Sequence, residues 1–263
     1  MGVVNVTPDS FSDGGRFLGH DAALAHARKL IADGADILDI GGESTRPGAE
    51  PVSEADEIAR TVPLIAAIRM ESGVAISIDT MKPAVARAAV AAGATIWNDV
   101  AALRFSPDAP SVAAELGCEV VLMHMLGEPR TMQDDPRYND VVAEVEAFLL
   151  SRAAVAEAAG VAREKIWLDP GIGFGKTVDH NLALLAALPR LCGHGYRVLL
   201  GASRKRFIAA LDPMANDAGD RLGGSLAAHL TGARAGVASV RVHDVRETVQ
   251  ALAVQAAIGE VGT

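Results

Sequence analysis

The sequence is poor in cysteine, and this scarcity argues against several kinds of metal and redox site. Its 263 residues include only two cysteines, Cys118 and Cys192, which lie far apart in the chain. They form no Cys-x-x-Cys pair, and no His-x-x-x-His pair is present either. A tight zinc site is therefore not expected. Both cysteines are predicted to be core or near-surface thiols of a protein in a reducing cytoplasm.

Long apolar runs and basic charge are also scarce. No apolar stretch reaches the length of a membrane span, and no signal peptide is expected before the first strand-like residues. With 24 basic and 33 acidic residues, the chain carries a formal net charge of −9. Nucleic acids and anionic membranes both require a basic surface, so neither is an expected partner. A small basic pocket for an anionic substrate is still compatible with this charge.

One repeating unit fills the chain: a short apolar run, a loop rich in glycine and polar residues, and an alanine-rich helix. Strands are predicted at residues 2–5, 36–41, 75–79, 95–98, 119–124, 166–169, 198–201 and 239–242. Helices are predicted at residues 22–33, 54–71, 83–92, 111–116, 141–159, 181–191, 222–235 and 245–258. Asp21 and Ser53 are predicted to cap helices, and glycines such as Gly34, Gly73 and Gly93 to end them.

The alternation of these units predicts the fold class. Eight strands separated by helices favour parallel pairing with both faces of the sheet buried. An open, doubly wound sheet is the alternative, but no Gly-x-Gly-x-x-Gly opens the first helix. We therefore predict an α/β fold, a single (β/α)8 TIM barrel domain over residues 1–263, with its active site at the C-terminal ends of the strands.

Polar side chains stand at nearly every predicted strand end, where a barrel brings them to one mouth. Asp79, Asn98 and Asp169 form an acidic and amide group. Such a group can hydrogen-bond the edge of a planar nitrogen heterocycle, because a ring N–H beside an amino group presents two parallel donors. Asp99 and His124 also follow strands, but each has an ordinary alternative, as a ligand of loop backbone and as a packed core histidine respectively.

A basic group follows strands seven and eight, where barrels commonly bind phosphate. It comprises Lys205, Arg241 and His243. Metal binding is a competing use of the acidic residues at the other strand ends. A magnesium ion carried mainly by substrate phosphates needs only one or two protein oxygens, and Asn5 at the end of strand one could supply one.

The glycine-rich stretch at residues 166–177 ends in Gly-Lys-Thr and looks at first like a phosphate-binding loop. The spacing fails, because only three residues separate Gly171 from Gly175 where the phosphate loop needs four. We predict instead that the glycines let the backbone turn closely past a flat ring. Asp169 is then the chemical residue of the stretch and Phe174 a wall, and Lys176 is not expected to bind phosphate.

Motifs along essentially the whole chain resemble, in the same order, those of the dihydropteroate synthases, a family of pterin-binding barrels. They are MGVVNVTPDSFSDGG (1–15), GGESTRPG (41–48), ISIDT (76–80), WND (97–99), LMHM (122–125), LDPGIGFGK (168–176), SRK (203–205) and RVHD (241–244). The resemblance implies a transferase of folate biosynthesis (EC 2.5.1.15). That enzyme joins 4-aminobenzoate to 6-hydroxymethyl-7,8-dihydropterin diphosphate, giving 7,8-dihydropteroate and diphosphate. It further implies Mg²⁺ as cofactor, a homodimer, and sulfonamides as mimics of 4-aminobenzoate.

Carried over position by position, the resemblance also implies the roles of individual residues. The pterin-binding residues are Asp79, Asn98, Met123, Asp169, Gly201 and Lys205. Catalysis is expected of Asp79, Asp169 and Lys205. The diphosphate-binding residues are Asn5, Thr45, Arg241 and His243, with Mg²⁺ on Asn5. The residues of the 4-aminobenzoate pocket and its closing loops are Phe11, Asp13, Arg46, Pro47, Phe174 and Arg206.

The sequence departs from the family pattern at its start and at one residue of the site. The residues that usually precede strand one are absent, which leaves open how the bottom of the barrel closes. Arg206 follows Lys205 where some members have serine, which leaves open whether this extra cation contacts the carboxylate of 4-aminobenzoate or turns away from it. One alternative function is a methyltransferase domain that binds a methylated reduced folate; it would need no diphosphate site, so Arg241 and His243 argue against it. A non-catalytic pterin-binding homologue is the other alternative.

Overall fold

The computed structural model describes residues 1–6, 15–44, 50–127 and 131–261. Eight parallel strands follow one another in chain order within the sheet. They are β1 (Gly2–Asn5), β2 (Ile37–Gly41), β3 (Ala75–Asp79), β4 (Ile96–Asp99), β5 (Glu119–Met123), β6 (Ile166–Asp169), β7 (Arg197–Leu200) and β8 (Ser239–Val240).

The sheet closes on itself between its last strand and its first. Gly2 pairs with Val242 in a parallel bridge. The Val3 amide donates to the Val242 carbonyl at 3.1 Å, and the Val242 amide donates to the Met1 carbonyl at 2.9 Å. These bonds leave no free edge at the junction, so the predicted (β/α)8 barrel is confirmed and the open sheet is excluded.

Ten α-helices alternate with these strands in the described part of the chain. They are α1 (Gly15–Ala32), α2 (Glu54–Glu71), α3 (Pro83–Ala91), α4 (Ala109–Leu116), α5 (Val141–Ala159), α6 (Val178–Ala186), α7 (Leu188–Cys192), α8 (Arg206–Leu211), α9 (Leu222–Ala235) and α10 (Val245–Val261). None of the described helices is long and apolar enough to cross a membrane.

Some predicted helix boundaries were wrong, each for a local reason. Helix α1 begins at Gly15, so Asp21 lies inside it and is not a cap. The helix predicted at 181–191 is two helices, because Pro189 has no amide hydrogen to continue the first. Helix α2 ends at Glu71 and its C-cap, Ser72, is extended, so Gly73 is not its left-handed terminator. Ser53 does cap α2, accepting from the Asp56 amide at 3.1 Å.

Alternation along each strand divides the apolar side chains between two cores. On β2, Leu38 and Ile40 are fully buried in the large cluster between the sheet and the helices. Residues in the alternate positions face the interior of the barrel. Met1 packs there against Ile96, Val121, Trp167 and Leu199, near the start of the strands. These side chains close the bottom of the barrel, and the polar residues at its other end are left to face the mouth.

Candidate active site

A row of residues crosses four neighbouring strands at their carboxyl ends. Asn5 on β1 is in register with Gly41 on β2, Gly41 with Asp79 on β3, and Asp79 with Asn98 on β4. Because Gly41 has no side chain, space remains between its neighbours. A Cβ atom at that position would lie 3.7 Å from Asn5 Oδ1 and 3.7 Å from Asp79 Oδ2. The amide of Asn5 and the carboxylate of Asp79 therefore border the same opening, as the strand ends predicted.

Arg241 links two carboxylates inside this end of the barrel. Its Nε donates to Asp39 Oδ2 at 2.6 Å, and its Nη2 donates to Asp79 Oδ2 at 2.9 Å. Asp39 is fully buried and also accepts from Asn98 Nδ2 at 3.3 Å. Arg241, of the predicted basic group, is thus bonded to Asp79, of the predicted acidic and amide group, although the two groups were predicted as separate. Asp39 was missed because only strand ends were read for polar residues.

Asp169 and Lys205 meet beside the aromatic ring of Phe174. Asp169 Oδ1 accepts from the Gly171 amide at 2.7 Å, which leaves Oδ2 for a ligand. A Cβ on Gly201 would lie 3.8 Å from that Oδ2 atom. Lys205 Nζ lies 4.1 Å from the centroid of the Phe174 ring, within the range of a cation–π contact. The structure therefore brings together these four predicted site residues of β6, β7 and the loops that follow them.

A methionine-rich wall borders Asp169. Met123 on β5 is in register with Asp169 on β6 and is almost completely buried. It packs in a cluster with Val100, Met125 and Met132, and Phe174 lies against the same cluster. Methionine side chains adapt to flat or irregular surfaces, so this wall suits one face of a planar ligand.

The charges of the cluster are strongly perturbed by burial. Burial, and then the charge of Asp39, raise the pKa of Asp79 to about 7, although Arg241 opposes the shift. Burial also raises the pKa of Asp169 and, with the repulsion of Arg241, lowers the pKa of Lys205 to about 8. Such mutual perturbation in a concave site is typical of functional groups.

His243 enters the site as a neutral ring. Its Nδ1 lies 3.0 Å from Ser203 Oγ. Burial, together with the nearby guanidinium of Arg241, lowers the pKa of His243 to about 4. In the tautomer whose Nδ1 accepts from the Ser203 hydroxyl, its Nε2–H can donate to an anion, whereas the positive charge at this position comes from Arg241.

Known proteins resemble this chain along nearly its whole length. A family model described as "Pterin binding enzyme" matches residues 1–243. The chain belongs to the pterin-binding enzyme family. Dihydropteroate synthase of Escherichia coli (strain K12) is 48% identical over 254 residues, which are 97% of this chain and 89% of that protein.

Solved structures of pterin-binding enzymes share the whole architecture. A dihydropteroate synthase of Xanthomonas albilineans solved with 4-aminobenzoic acid is 51% identical, with a TM-score of 0.92 over 98% of this chain and 92% of that one. A structure of the Xanthomonas albilineans synthase in complex with 7,8-dihydropteroate is 48% identical, with a TM-score of 0.89 over 98% and 92%.

Several predicted residues of this pterin-binding enzyme cannot be placed in the site. Phe11, Asp13, Thr45, Arg46 and Pro47 lie outside the described residues. Their predicted roles therefore stay predictions. Arg206 is described and is exposed at the start of α8.

The loop between β2 and α2 is anchored by a buried ion cluster that the sequence analysis missed. Glu43 accepts from the Val52 amide at 2.9 Å and thereby ties the start of the loop to its end. Lys82 Nζ donates to Glu43 at 2.7 Å and to the fully buried Glu57 at 2.6 Å. The quoted motifs include Glu43 but not Lys82 or Glu57, because the members of the cluster come from separate stretches of sequence.

Lys176 of this pterin-binding enzyme braces the loop that carries Phe174. Its Nζ donates to the Phe174 carbonyl at 2.9 Å and lies 2.9 Å from His124 Nδ1. Burial lowers the pKa of Lys176 to about 7 and the pKa of His124 to about 3. His124 is therefore a packed, neutral histidine, and Asp99 accepts from the loop amides of Ala101 and Leu103 at 2.7 and 2.6 Å.

Gly171 brings the glycine-rich stretch close to the backbone at His124, whereas its predicted passage past a flat ring stays a prediction. It has φ +67°, and a Cβ there would lie 1.9 Å from the His124 carbonyl oxygen. We expect Gly171→Ala to lower the free energy of unfolding by about 2–4 kcal/mol, measured by denaturant titration. Gly195→Ala is the matched control, because Gly195 has φ +78° but nothing within 4 Å; its cost should be only about 1–2 kcal/mol. Equal losses in both variants would contradict the close approach.

Proposed function

We infer that the chain is a transferase that condenses 6-hydroxymethyl-7,8-dihydropterin diphosphate with 4-aminobenzoate. The products are 7,8-dihydropteroate and diphosphate, as in the dihydropteroate synthase reaction of folate biosynthesis. The observation that carries this function is the cluster of Asp79, Asn98, Asp169 and Lys205 at the mouth of a family barrel. The relatives that bind 4-aminobenzoic acid and 7,8-dihydropteroate support the same substrates.

We propose that the pterin ring lies between Met123 and Lys205 with its polar edge toward the carboxylates. Asp79 and Asp169 each have an oxygen that can accept from the ring N–H groups and the exocyclic amine. Asn98 can both donate and accept, and Lys205 is a donor for a ring acceptor. Water is kept from the reacting carbon by the apolar wall around Met123 and by Phe174.

The diphosphate is proposed to bind where β8 meets β1. Arg241 can offer its Nη atoms to phosphate oxygens, provided that the bond from Nη2 to Asp79 is exchanged for a bond to the ligand. His243 adds a neutral donor and Asn5 an amide oxygen.

A magnesium ion held mainly by the substrate fits this donor set. In the ranges 1–6, 15–44, 50–127 and 131–261 no group of three or more acidic, histidine or cysteine side chains could cage a metal. A single protein oxygen, that of Asn5, is enough when phosphate oxygens and water supply the other ligands. When bound, the ion would neutralise charge on the leaving diphosphate.

The reaction follows as a substitution at the methylene carbon of the pterin. The nitrogen of 4-aminobenzoate forms the new C–N bond, the C–O bond to diphosphate breaks, and the diphosphate leaves with the electron pair. Arg241 and His243 stabilise the charge that develops on it, while Asp79 and Asp169 stabilise positive character on the pterin. The arylamine attacks in its neutral form, so it needs no general base, and the proton that it loses afterwards passes to water.

The pKa of Asp79 predicts how activity depends on pH. A carboxylate is needed to accept from the pterin, and the pKa of Asp79 is raised to about 7 in the free protein. Below that pH the neutral acid predominates, so kcat/KM for the pterin diphosphate should rise as pH increases through about 7. The profile of kcat should be flatter, because bound pterin donors favour the carboxylate. A kcat/KM profile that is flat between about pH 6 and about pH 8 would count against this role of Asp79.

A product assay tests the proposed function. The protein is incubated with 4-aminobenzoate, 6-hydroxymethyl-7,8-dihydropterin diphosphate and Mg²⁺, and 7,8-dihydropteroate is sought by mass spectrometry. We expect product only when both organic substrates are present. Absence of product with the complete mixture would refute the function.

We also propose that the protein works as a cytoplasmic homodimer. Support for self-association comes from the apolar side chains of Leu182, Leu211 and Met214, which are exposed; the first two line a groove of about 430 Å³. The free thiols of Cys118 and Cys192 fit a reducing compartment. Light scattering should give twice the mass of one chain; the mass of a single chain would exclude the dimer. Cell fractionation should recover the protein with the cytoplasmic proteins, and its recovery in another fraction would exclude that compartment.

A further inference from the structure

Asp39 is a buried carboxylate that the reaction as described above does not use. It lies on β2 two residues before Gly41, one layer deeper in the barrel than the row of Asn5, Gly41 and Asp79. No part of its surface is exposed. Its neighbours in register on β1 and β3 are Val3 and Ser77, which carry no charge. Of these three residues in register, Asp39 is therefore the one that can carry a charge.

The cost of burying this carboxylate is offset by partners that belong to the site. Arg241 Nε donates to Asp39 Oδ2 at 2.6 Å, and Asn98 Nδ2 lies 3.3 Å from each of its oxygens. A buried carboxylate without such partners would be strongly unfavourable. The same contacts fix the plane of the Arg241 guanidinium and the rotamer of Asn98, so the geometry of both depends on Asp39.

We propose that Asp39 is a positioning residue for the synthase reaction. It holds Arg241 through Nε, so that Nη2 can exchange Asp79 for a phosphate oxygen of the substrate without the guanidinium leaving the site. It also orients the amide of Asn98 toward the pterin. This inference rests on the proposed function.

This exchange of Asp79 for a phosphate oxygen explains why Arg241 needs Asp39 as a second carboxylate partner. In the structure Arg241 Nη2 donates to Asp79 Oδ2, the oxygen that borders the opening above Gly41. Pterin binding requires Asp79 to be free for the ligand. If Asp39 were neutral, Asp79 would be the one of these two carboxylates that still carries a charge. Arg241 and Asp79 would then bind each other more tightly. Loss of the Asp39 charge should therefore weaken binding of the pterin diphosphate.

Steady-state kinetics of Asp39→Asn test the proposal. We expect kcat/KM for the pterin diphosphate to fall about 100-fold, the size of effect that a displaced positioning group produces. The KM for 4-aminobenzoate, measured at saturating pterin diphosphate, should change by less than about threefold, because Asp39 contacts no group proposed for that substrate. A purely structural role would lower the fraction of active protein and leave both KM values unchanged.

Glu119→Gln is the matched control, because it also removes one carboxylate charge at a strand. Glu119 binds Arg197 and Trp167 at the opposite end of the barrel, and its variant should keep wild-type kcat/KM. Wild-type kinetics in Asp39→Asn, or an equal loss in Glu119→Gln, would overturn the positioning role while the function stands. A wild-type protein that forms no 7,8-dihydropteroate would overturn both.

A crystal structure of the wild-type protein with the pterin diphosphate provides a test if Asp39→Asn does not fold. The proposal predicts that Arg241 Nε stays within hydrogen-bond distance of Asp39, while Nη2 has left Asp79 for a phosphate oxygen. A complex in which Arg241 stays on Asp79, or leaves Asp39, would overturn it.

Discussion

Replacement of Asp79 by asparagine is expected to lower kcat/KM for the pterin diphosphate by about 10²–10⁴-fold. The asparagine amide presents an NH₂ donor where the ring N–H and amino groups also donate. Each hydrogen bond to a charged acceptor contributes about 1.5–3 kcal/mol, so loss of two gives about this range. The variant also loses the ion pair with Arg241, whose Nη2 lies 2.9 Å from Asp79. Initial rates of 7,8-dihydropteroate formation across pterin concentrations measure the effect.

Asp99→Asn is the control for the loss of a buried carboxylate at the same end of the barrel. Asp99 accepts from the loop amides of Ala101 and Leu103, so its variant should lose stability while the folded protein stays within about threefold of wild-type kcat/KM. A fully active Asp79→Asn variant would show that this residue does not hold the pterin.

Arg241→Met should destabilise the fold and also abolish most activity. The substitution keeps much of the side-chain volume but leaves Asp39 and Asp79 facing each other without their shared cation. Removal of one partner from a buried ion pair costs about 3–5 kcal/mol, which denaturant unfolding at neutral pH can measure. Turnover should fall because the proposed ligand of the diphosphate is gone. Arg241→Lys keeps the charge but lacks the planar fork, so an intermediate result is expected.

A double variant separates the ion pair from other effects of Arg241. If the lost stability comes from the unpaired charge of Asp39, Asp39→Asn combined with Arg241→Met should be less destabilised than the sum of the single variants. Strict additivity, or a loss below about 1 kcal/mol in Arg241→Met, would show that the buried pair is energetically unimportant.

The strand ends were predictable from sequence because two simple rules apply to them. Buried parallel strands are apolar runs, and a barrel brings the residues that follow such runs to one mouth. Strands β1, β3 and β6 were predicted with their observed bounds. Asp79, Asn98 and Asp169 were therefore identified together with the elements that carry them.

Contacts between distant stretches were not predictable in the same way. Asp39 lies within the apolar run of β2. Its side chain can be predicted to face the interior only because it lies two residues before Gly41, and alternate residues of a strand face the same side. Lys82, Glu43 and Glu57 meet through tertiary packing. Helix α8 was missed because its six residues are too few for a periodic pattern.

The glycine-rich stretch shows why a Gly-Lys-Thr ending alone does not predict a phosphate loop. Its Gly-Lys-Thr ending resembles a phosphate loop, yet Lys176 is buried against His124 and the Phe174 carbonyl. The spacing does not fit a phosphate loop, and Gly171, with φ +67°, lies in a turn that passes close to the His124 carbonyl. Asp169 and Phe174 are the members of the stretch that face the site.

The ratio of diphosphate released to 7,8-dihydropteroate formed tests the central claim most directly. Both products are measured in the same reaction, with and without 4-aminobenzoate. A site that joins the two substrates predicts equal amounts of the two products, and no diphosphate release when 4-aminobenzoate is omitted. Diphosphate release that does not require 4-aminobenzoate would contradict the account, because the pterin diphosphate would then be hydrolysed or transferred to another acceptor.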